Sequence, residues 1–241
     1  ITGFQRNPFT QQHRFAFGYY FATQSFDVNY EGEFANIFGS WNFLIGGYFQ
    51  NPNFSENYFG FGNETINPNY EFDLGLDYNR VSIGGYGGSI GLKKDSPYGS
   101  MVQFKAIFDA IEVEGTDGRF ISEAIPIPTE LDETKNFVTA EGKYQYESSD
   151  NKVNPTRGMN FSIIAGGTQN IEDSDQIFGY VKPSIVFYNA LTRNRKLVLK
   201  TDVRGQFNIG NNYEFYQGAQ LGSDTGLRGY RNERLTGRSA A

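Results

Sequence analysis

Few residues in this sequence have side chains suited to catalysis. The chain contains no Cys and a single His, which excludes disulfides, thiol nucleophiles and Cys/His zinc sites. A Ser–His–Asp triad would need His13, which lies in a strand-like run, so we interpret it as a rim or surface residue. Glu31 and Glu33 share one face of a similar run and could pair as acid and base, but solvation in a wet interior explains them better. We therefore predict no catalytic residue, no cofactor and no bound metal in this chain.

Two further segments imitate known binding motifs but depart from them. Gly84–Ser89 is rich in glycine, yet it lacks the spacing and the Gly-Lys-Ser/Thr ending of a phosphate-binding loop. We interpret it as flexible or closely packed strand. Asp173 and Asp175 could belong to a calcium loop, but a solvated loop is the simpler interpretation.

The composition favours strands over helices. Among 241 residues, 23 Phe, 16 Tyr, one Trp and 29 Gly suit pleated strands, aromatic rims and tight turns. Acidic residues outnumber basic ones by 27 to 21, and the net charge of −6 argues against a nucleic acid partner. No run of about 18 apolar residues predicts a membrane-spanning helix, although a transmembrane strand shows only every second residue to lipid. The first residues resemble the start of a mature protein or a fragment rather than a signal peptide.

Apolar and polar residues alternate along most of the chain, which is the pattern of β-strands. One such run, Tyr70–Tyr78, is followed by a change of parity at Val81 and Ile83, which predicts a β-bulge or a new strand. The parity predicted to face outward includes Phe15, Phe17, Phe26, Val28, Phe72, Leu74, Phe104, Phe161, Leu197 and Leu199. The parity predicted to face inward includes Asp27, Glu31, Asp73, Gln103, Glu141, Lys200 and Asp202.

The predicted strands number about nine, each roughly 9–13 residues long, and short turns alternate with long loops between them. The short turns are predicted at 38–40, 94–99 and 191–195, and the long loops at 51–69, 115–135 and from 208 onward. This arrangement is typical of an antiparallel, transmembrane, outer-membrane β-barrel, whose apolar parity faces lipid and whose charged parity faces a wet lumen. The alternative, a soluble β-sandwich, is less favoured because sandwich strands are usually shorter. The predicted fold class is therefore all-β.

Three segments carry a resemblance to a known family. The most specific resembles the hydrophobic-Arg-Gly-aromatic signature in the long sixth loop of the BamA-like superfamily, the outer-membrane assembly and two-partner secretion barrels: Leu227, Arg228, Gly229, Tyr230, Arg231 and Arg234. A second resembles that superfamily's periplasmic turn before a middle strand: Pro155, Thr156, Arg157 and Gly158. The third, Asn57–Thr65, is similar to a loop in a subset whose barrel is joined to a soluble hydrolase, such as a phosphoesterase, in Bacteroidetes-like organisms.

The resemblance implies a barrel of sixteen strands, of which this chain supplies roughly the third to the eleventh. Residues 1–241 would then be part of one outer-membrane barrel domain, with the long sixth loop at 208–241 and strands missing at both ends. The strands near Arg14 and Arg204 are accordingly expected to be edges of the sheet and not to pair with each other. The resemblance also implies that the sixth loop folds into the lumen and that a carboxylate outside this sequence pairs with Arg228.

The same resemblance implies a location in the bacterial outer membrane. The implied partners are outer-membrane lipid and lipopolysaccharide, with client outer-membrane proteins or periplasmic accessory proteins. Three functions stay open. The chain could belong to an assembly or translocation barrel, to the membrane anchor and export module of a fused hydrolase, or to a passive porin. The Arg-Gly-Tyr loop argues against the porin, because a porin does not need that motif.

Overall fold

The computed structural model describes residues 2–5, through their backbone alone, and residues 10–65, 75, 77–124 and 128–241. Within these residues the fold is almost entirely antiparallel β-sheet, with one short helix, α1 (Phe120–Glu123). No helix in the described part of the chain is long and apolar enough to cross a membrane. The strands are β1 (Thr2–Gln5), β2 (Gln11–Tyr20), β3 (Ser25–Phe38), β4 (Trp41–Asn57), β5 (Arg80–Asp95), β6 (Ser100–Glu114), β7 (Thr134–Glu147), β8 (Gly158–Asn170), β9 (Ile177–Ala190), β10 (Val198–Arg204), β11 (Gln206–Ile209), β12 (Ala219–Leu221), β13 (Leu235–Gly237) and β14 (Ser239–Ala240).

The main sheet follows chain order from β1 to β9, and β11 and β14 continue it. Both β10 and β11 pair with β9 in one continuous register, from Val198 opposite Ala190 to Ile209 opposite Gly179. The two are separated at Gly205, whose N–H donates to the carbonyl of Pro183. Pro183 has no N–H to return, so one ladder bond is lost there. Among the described strands, β2 and β10 do not pair with each other, and the sheet is open between β1 and β14. The strand near Arg14 is nevertheless not an edge, because β1 pairs with β2.

The pairing of residues across neighbouring strands places the apolar residues on one face of the sheet and the polar residues on the other. Phe17 lies opposite Val28, and Val28 lies opposite Phe49, so these side chains share a face. Gly18, Asp27 and Gln50 form a neighbouring row on the other face. The second face carries the C-terminal segment and is called the inner face below. The predicted facing is confirmed for the described residues, while Phe72, Leu74 and Asp73 lie outside them.

The outer face is apolar and uncovered. Phe17 is 61% exposed and Phe104 is 55% exposed, which would be unusual on a surface in water. His13 lies on this face between Tyr30 and Phe34, and its Nδ1 is 2.9 Å from the Tyr30 hydroxyl. The surface interpretation of His13 is consistent with this position.

Several strand boundaries differ from the sequence prediction. The strand β4 continues to Asn57, so the following loop begins at 58 rather than 51. Asp77–Asn79 form a turn instead of ending a strand, and the other residues of the predicted strand, Tyr70, Glu71, Phe72, Asp73, Leu74 and Leu76, lie outside the described residues. The parity change at Val81 and Ile83 marks a new strand, since β5 begins at Arg80 and includes the glycine-rich run.

Turns and loops lie at opposite ends of the sheet. At the turn end, the Glu147 N–H donates to the Gly99 carbonyl, and Arg195 contacts Asp150 at 3.3 Å. At the other end, called the loop end, a small hydrophobic core lies on the inner face. Its buried members come from the long loops and the adjoining strand ends: Tyr58, Val81, Val113, Ile121 and Phe215. The predicted short turns and long loops thus lie at opposite ends, but their lengths do not alternate throughout, since the β8–β9 connection at the loop end (171–176) is shorter than the β7–β8 connection at the turn end (148–157).

Two tyrosines cross a neighbouring strand to reach a carboxylate. The Tyr48 hydroxyl, on β4, donates to Asp109 on β6 at 2.9 Å. It passes over Gly87 of β5, where an added Cβ would lie 2.5 Å from Tyr48 Cε1. Tyr180 of β9 reaches Glu141 of β7 in the same way at 2.7 Å. Glycine at the crossed position is what allows the ring to lie flat across the strand.

We expect Gly87→Ala to destabilise the fold by about 1–3 kcal/mol, because its Cβ would overlap Tyr48 and the Phe108 carbonyl. The matched control is Gly88→Ala on the outer face, where the nearest atom to the new Cβ is 3.6 Å away. That control should change stability by no more than about 0.5 kcal/mol. Urea unfolding of the two detergent-refolded variants measures the difference. Equal midpoints would contradict the crossing as a structural requirement.

Candidate functional site

The segment after β11 turns back over the inner face and is called the return segment, residues 210–241. A turn of 3-10 helix, Phe215–Gln217, leads into β12, which pairs with β13 from Ala219 opposite Gly237 to Leu221 opposite Leu235. The last strand, β14, pairs with β11. The return segment therefore starts and ends beside the same strand, and the residues between Gly222 and Arg231 form its tip.

One buried carboxylate anchors the beginning of the return segment. Glu214 is 4% exposed, and its Oε1 accepts hydrogen bonds from Lys135 Nζ at 2.7 Å and Gln176 Nε2 at 2.6 Å. Glu214 also caps the 3-10 turn, exchanging side-chain and backbone hydrogen bonds with Gln217. Breaking one side of a buried, hydrogen-bonded ion pair costs about 3–5 kcal/mol, so this anchor holds the segment firmly against β7 and the β8–β9 turn.

Side-chain amides on β11 hold the next part. Asn208 Nδ2 donates to the Gln217 carbonyl at 3.0 Å, and Gln206 Nε2 lies 3.3 Å from the Gly218 carbonyl. The Asn208 backbone bonds Arg238 in both directions, as its N–H donates to the Arg238 carbonyl and its carbonyl accepts from Arg238 Nε. These bonds satisfy backbone groups that a sheet ladder would otherwise satisfy.

The far part of the return segment docks on the loop after β4. Glu233 Oε2 accepts from the Asn57 N–H at 3.2 Å and from Asn57 Nδ2 at 3.0 Å. The Gly62 N–H donates to the Thr236 carbonyl at 2.8 Å. Arg234 donates to Thr65 Oγ1 at 2.8 Å and to the Thr65 carbonyl at 2.6 Å. Two segments that the sequence resemblance singled out separately, Asn57–Thr65 and the stretch around Arg234, thus contact each other directly.

Two arginines of the motif also share one aromatic ring. The Arg234 guanidinium lies 5.1 Å from the Phe59 ring centre, and the Arg231 guanidinium lies 5.7 Å from it. Phe59 is 2% exposed, so the cation–π contacts are shielded from water. Both arginines therefore belong to the docked base of the return segment rather than to its tip.

The tip is closed at a narrow neck. A Cβ at Gly222 would lie 2.5 Å from the Arg231 carbonyl oxygen, so the two sides of the neck are in backbone contact. Inside the tip, the N–H groups of Thr225 and Leu227 both donate to the Gly222 carbonyl. Gly229 has φ of +98°, a conformation that glycine adopts readily. The tip is therefore ordered by its own backbone.

The remaining motif residues lie in this tip. Leu227 is half-buried, whereas Arg228 and Gly229 are exposed and Tyr230 is 56% exposed. Arg228 has no hydrogen bond or ion pair with another residue in the described part of the chain. The expected carboxylate partner of Arg228, and the position of the tip inside a complete lumen, stay predictions.

The second predicted motif forms the β7–β8 turn. Asp150 Oδ1 accepts from the N–H groups of Thr156 and Arg157 at 2.8 and 3.1 Å. These bonds and the Thr156 hydroxyl hold the pKa of Asp150 below its usual range. Pro155 is half-buried, and Gly158 follows with φ of +119°. A Cβ at Gly158 would lie 2.5 Å from the Ser148 carbonyl oxygen, so the turn excludes any larger residue. These residues thus form the connection between β7 and β8, and their assignment as the periplasmic turn motif stays a prediction.

The anchoring residues were not predicted from the sequence. Lys135 was assigned to a loop boundary, and Glu214 and Glu233 received no role. The spacing of Glu214 and Gln217 is the one local signal, because an acceptor followed three residues later by Gln resembles a helix-capping pair. Lys135 and Asn57 carry no comparable signal. Among the described residues, no group of three or more Asp, Glu or His side chains is arranged to hold a metal ion.

Comparison with known proteins supports the fold. The chain is similar to the crystal structure of BamA from Haemophilus ducreyi lacking POTRA domains 1–3, with a TM-score of 0.61 and 13% sequence identity. The similarity covers 96% of this chain and 44% of that chain, so this chain spans less than half of that protein's length. No family model and no curated protein matches the sequence. The chain therefore has a BamA-like barrel fold with an open sheet.

We expect docking of the return segment to weaken as the pH rises. Burial of Glu233 raises the pKa of its carboxyl above the ordinary 4.5, and Asp224 adds to the shift. The protonated carboxyl of Glu233 therefore stabilises the docked return segment fully below about pH 4.5. This stabilisation is lost as the pH rises through the raised pKa. Because the chain has no Cys, spin labels at introduced cysteines in place of Asn63 and Ser223 can report the separation.

The inter-label distance distribution should broaden between about pH 4 and pH 8 in the otherwise unchanged protein. Glu233→Gln should reduce this dependence, since the amide keeps an acceptor for Asn57 but does not titrate, while the neighbouring carboxyl of Glu56 still does. Glu64→Gln, at an exposed position in the partner loop, is the matched control and should retain it. A Glu233→Gln variant with undiminished pH dependence would contradict the assignment.

We expect Asp150→Asn to loosen the β7–β8 turn. The substitution weakens the acceptor that Thr156 and Arg157 share, so their amide hydrogens should exchange roughly tenfold faster. Because the pKa of Asp150 is lowered, its carboxylate stabilises the turn fully above the usual Asp pKa of 3.8. This stabilisation is lost only as the pH falls through the lowered pKa. Exchange in the unmodified turn should thus show no loss of protection between about pH 5 and pH 8. Asp173→Asn, in the β8–β9 turn, is the control and should leave these two amides unchanged.

Proposed function

We propose that this chain is part of an outer-membrane β-barrel that acts in the insertion of proteins into the outer membrane or in their export across it. The observation that carries the proposal is the docked return segment. Its base, with Glu233 and Arg234, joins the Asn57–Thr65 loop, and its tip presents Arg228 and Tyr230. The BamA-like fold supports the same assignment.

The two faces of the sheet suit this function. An apolar outer face can contact lipid, and a charged inner face can line a wet lumen. The proposed action requires no bond chemistry. An incompletely closed seam offers free backbone groups to an incoming strand, and local thinning of the membrane lowers the barrier to its insertion. Outer-membrane lipid, lipopolysaccharide and client barrels are the proposed partners, with periplasmic accessory proteins on the turn side.

A second candidate is the membrane anchor and export module of a fused hydrolase. The observation that favours it is the Asn57–Thr65 loop, which resembles a loop of such barrels and bonds the return segment at Asn57, Gly62 and Thr65. A passive porin is disfavoured, because the return segment covers the loop end of the inner face with buried contacts at Glu214 and Phe215.

The full-length protein in liposomes tests the proposal. We expect it to accelerate the folding of a urea-denatured outer-membrane client protein several-fold compared with empty liposomes. Folding of the client is measured by its mobility shift on a semi-native gel. No acceleration would contradict the assembly function. Steady open-pore conductance without acceleration would favour the porin, and phosphoesterase activity in the full-length protein without acceleration would favour the hydrolase anchor.

We expect Arg228→Ala in the full-length protein to lower the fraction that folds to a heat-resistant form and to slow client folding. Arg228→Lys should also impair both, since lysine keeps the charge but lacks the planar fork that binds a carboxylate bidentately. The matched control is Arg193→Ala in an exposed turn. Semi-native gel mobility after heating measures the effect, and wild-type behaviour of Arg228→Ala would count against a structural role for the tip.

A further inference from the structure

A polar cavity lies at the loop end of the inner face, between β2, β3 and the end of β4. It has a volume of about 510 Å³ and is lined by Asp27, Tyr48, Gln50, Asn53, Phe54 and Arg80, among others. Pockets that hold small ligands typically measure roughly 300–1,000 Å³. The cavity is therefore large enough for a ligand of more than one ring.

Asn53 is the unusual residue in this lining. Its side chain is 8% exposed, yet its amide makes no hydrogen bond to another residue in the described part of the chain. Its polar atoms are still accessible from the cavity, since the fully buried side-chain polar atoms without a partner among the described residues belong to Asn57, Thr129 and Gln220. The amide of Asn53 lines the cavity, so a molecule in the cavity can supply the partner.

The backbone around Asn53 is shaped to direct it there. The register between β4 and β5 shifts twice, once between Gln50 and Asn53 and again between Asn53 and Glu56. Pro52 lies in the first irregularity, where a missing N–H costs no ladder bond. Gly84 makes room for it, since a Cβ there would lie 2.8 Å from Pro52 Cγ. Bulges commonly re-aim a side chain next to a site, and Asn53 has one on each side.

The other lining residues define the chemistry of a ligand. Gln50 Nε2 donates to the Ile83 carbonyl and to Ser55 Oγ, while its Oε1 receives no hydrogen bond from a described residue. The Tyr48 hydroxyl is occupied by Asp109, so Tyr48 offers the cavity its ring. Phe54 supplies a second ring, on which the Arg119 guanidinium lies at 4.8 Å. The cavity thus combines amide groups that donate and accept with aromatic surfaces.

The charges in the lining favour a neutral ligand. The charged lining residues among those described are Asp27 and Arg80, of opposite sign. Arg80 is already within 3.3 Å of Asp77. The two charges leave the lining without a net charge that would favour an ion of either sign, and a ligand hydroxyl group can donate to Asp27 and accept from Arg80.

We propose that this cavity binds a saccharide. The amides of Asn53 and Gln50 hydrogen-bond its hydroxyl groups, and the rings of Tyr48 and Phe54 pack on the apolar face of a sugar ring. This site goes beyond the proposed function and does not depend on it. The same chemistry belongs to free oligosaccharides and to the sugar chains of lipopolysaccharide.

Saturation-transfer difference NMR tests the proposal with the full-length protein in a detergent that has no sugar head group. The probes are lactose, maltose and the lipid-free core oligosaccharide of lipopolysaccharide. We expect transfer to at least one probe. Transfer to the disaccharides identifies a free sugar as ligand, and transfer to the core oligosaccharide alone identifies lipopolysaccharide. No transfer to any probe, or displacement of the sugar by equimolar inorganic phosphate, overturns the proposal.

Asn53→Ala should weaken the binding about tenfold, the effect of one lost hydrogen bond. Asn160→Ala is the matched control, because Asn160 is a half-buried inner-face asparagine near the turn end. Heat-modifiable gel mobility checks that each variant folds. If Asn53→Ala does not fold, Asn29→Ala, an exposed lining residue, replaces it. Unchanged affinity in whichever of the two folds overturns the proposal.

Discussion

The packing of Phe215 is the interaction on which the loop end of this molecule depends. Its ring is fully buried, lies 4.9 Å from the ring centre of Tyr58, and belongs to one core with side chains from four other segments: Tyr58 after β4, Val81 on β5, Val113 on β6 and Ile121 in α1. Burying a phenylalanine side chain stabilises the fold by about 1.5–3 kcal/mol, and burial of the apolar side chains around it contributes similar amounts. Other aromatic contacts, such as Tyr58 with Phe120 and Phe61 with Tyr213, also join the long loops, and Phe215 lies fully buried in the core to which they belong.

Glu214, the residue before Phe215, gives the packing its direction. A hydrophobic ring alone could be buried in several orientations, whereas a carboxylate bonded to Lys135 and Gln176 has one. Buried ion pairs add little net stability compared with apolar residues of equal size, but they penalise wrong arrangements strongly. The pairing of a ring with an adjacent buried charge therefore fixes where the return segment lies along the sheet.

The faces of the strands could be predicted from the sequence because they depend on local alternation. Phe17, Val28 and Phe104 were assigned correctly since a period of two is visible within ten residues. The end of β4 was misjudged, as its register shifts around Asn53 depend on Pro52 and on Gly84 in the next strand. The contacts of Glu233 with Asn57 and of Arg234 with Thr65 were also missed. They join residues 176 and 169 positions apart, and no local pattern records such a distance. The motif around Arg228 could be identified in the sequence only through its resemblance to a known family.

Because of the neck at Gly222, the length of the tip has little effect on the docked base of the return segment. The two ends of the tip are held together by the pairing of β12 with β13 and by the backbone contact of Gly222 with Arg231. Their separation therefore does not depend on the residues between them. Closing a flexible loop of twice the length costs only about 0.6 kcal/mol more. The number of residues between Gly222 and Arg231 can therefore change at little cost in stability while the docked base stays unchanged. The return segment thus separates the residues that hold it on the sheet from those that present Arg228 and Tyr230, so a substitution in one part should leave the other part folded.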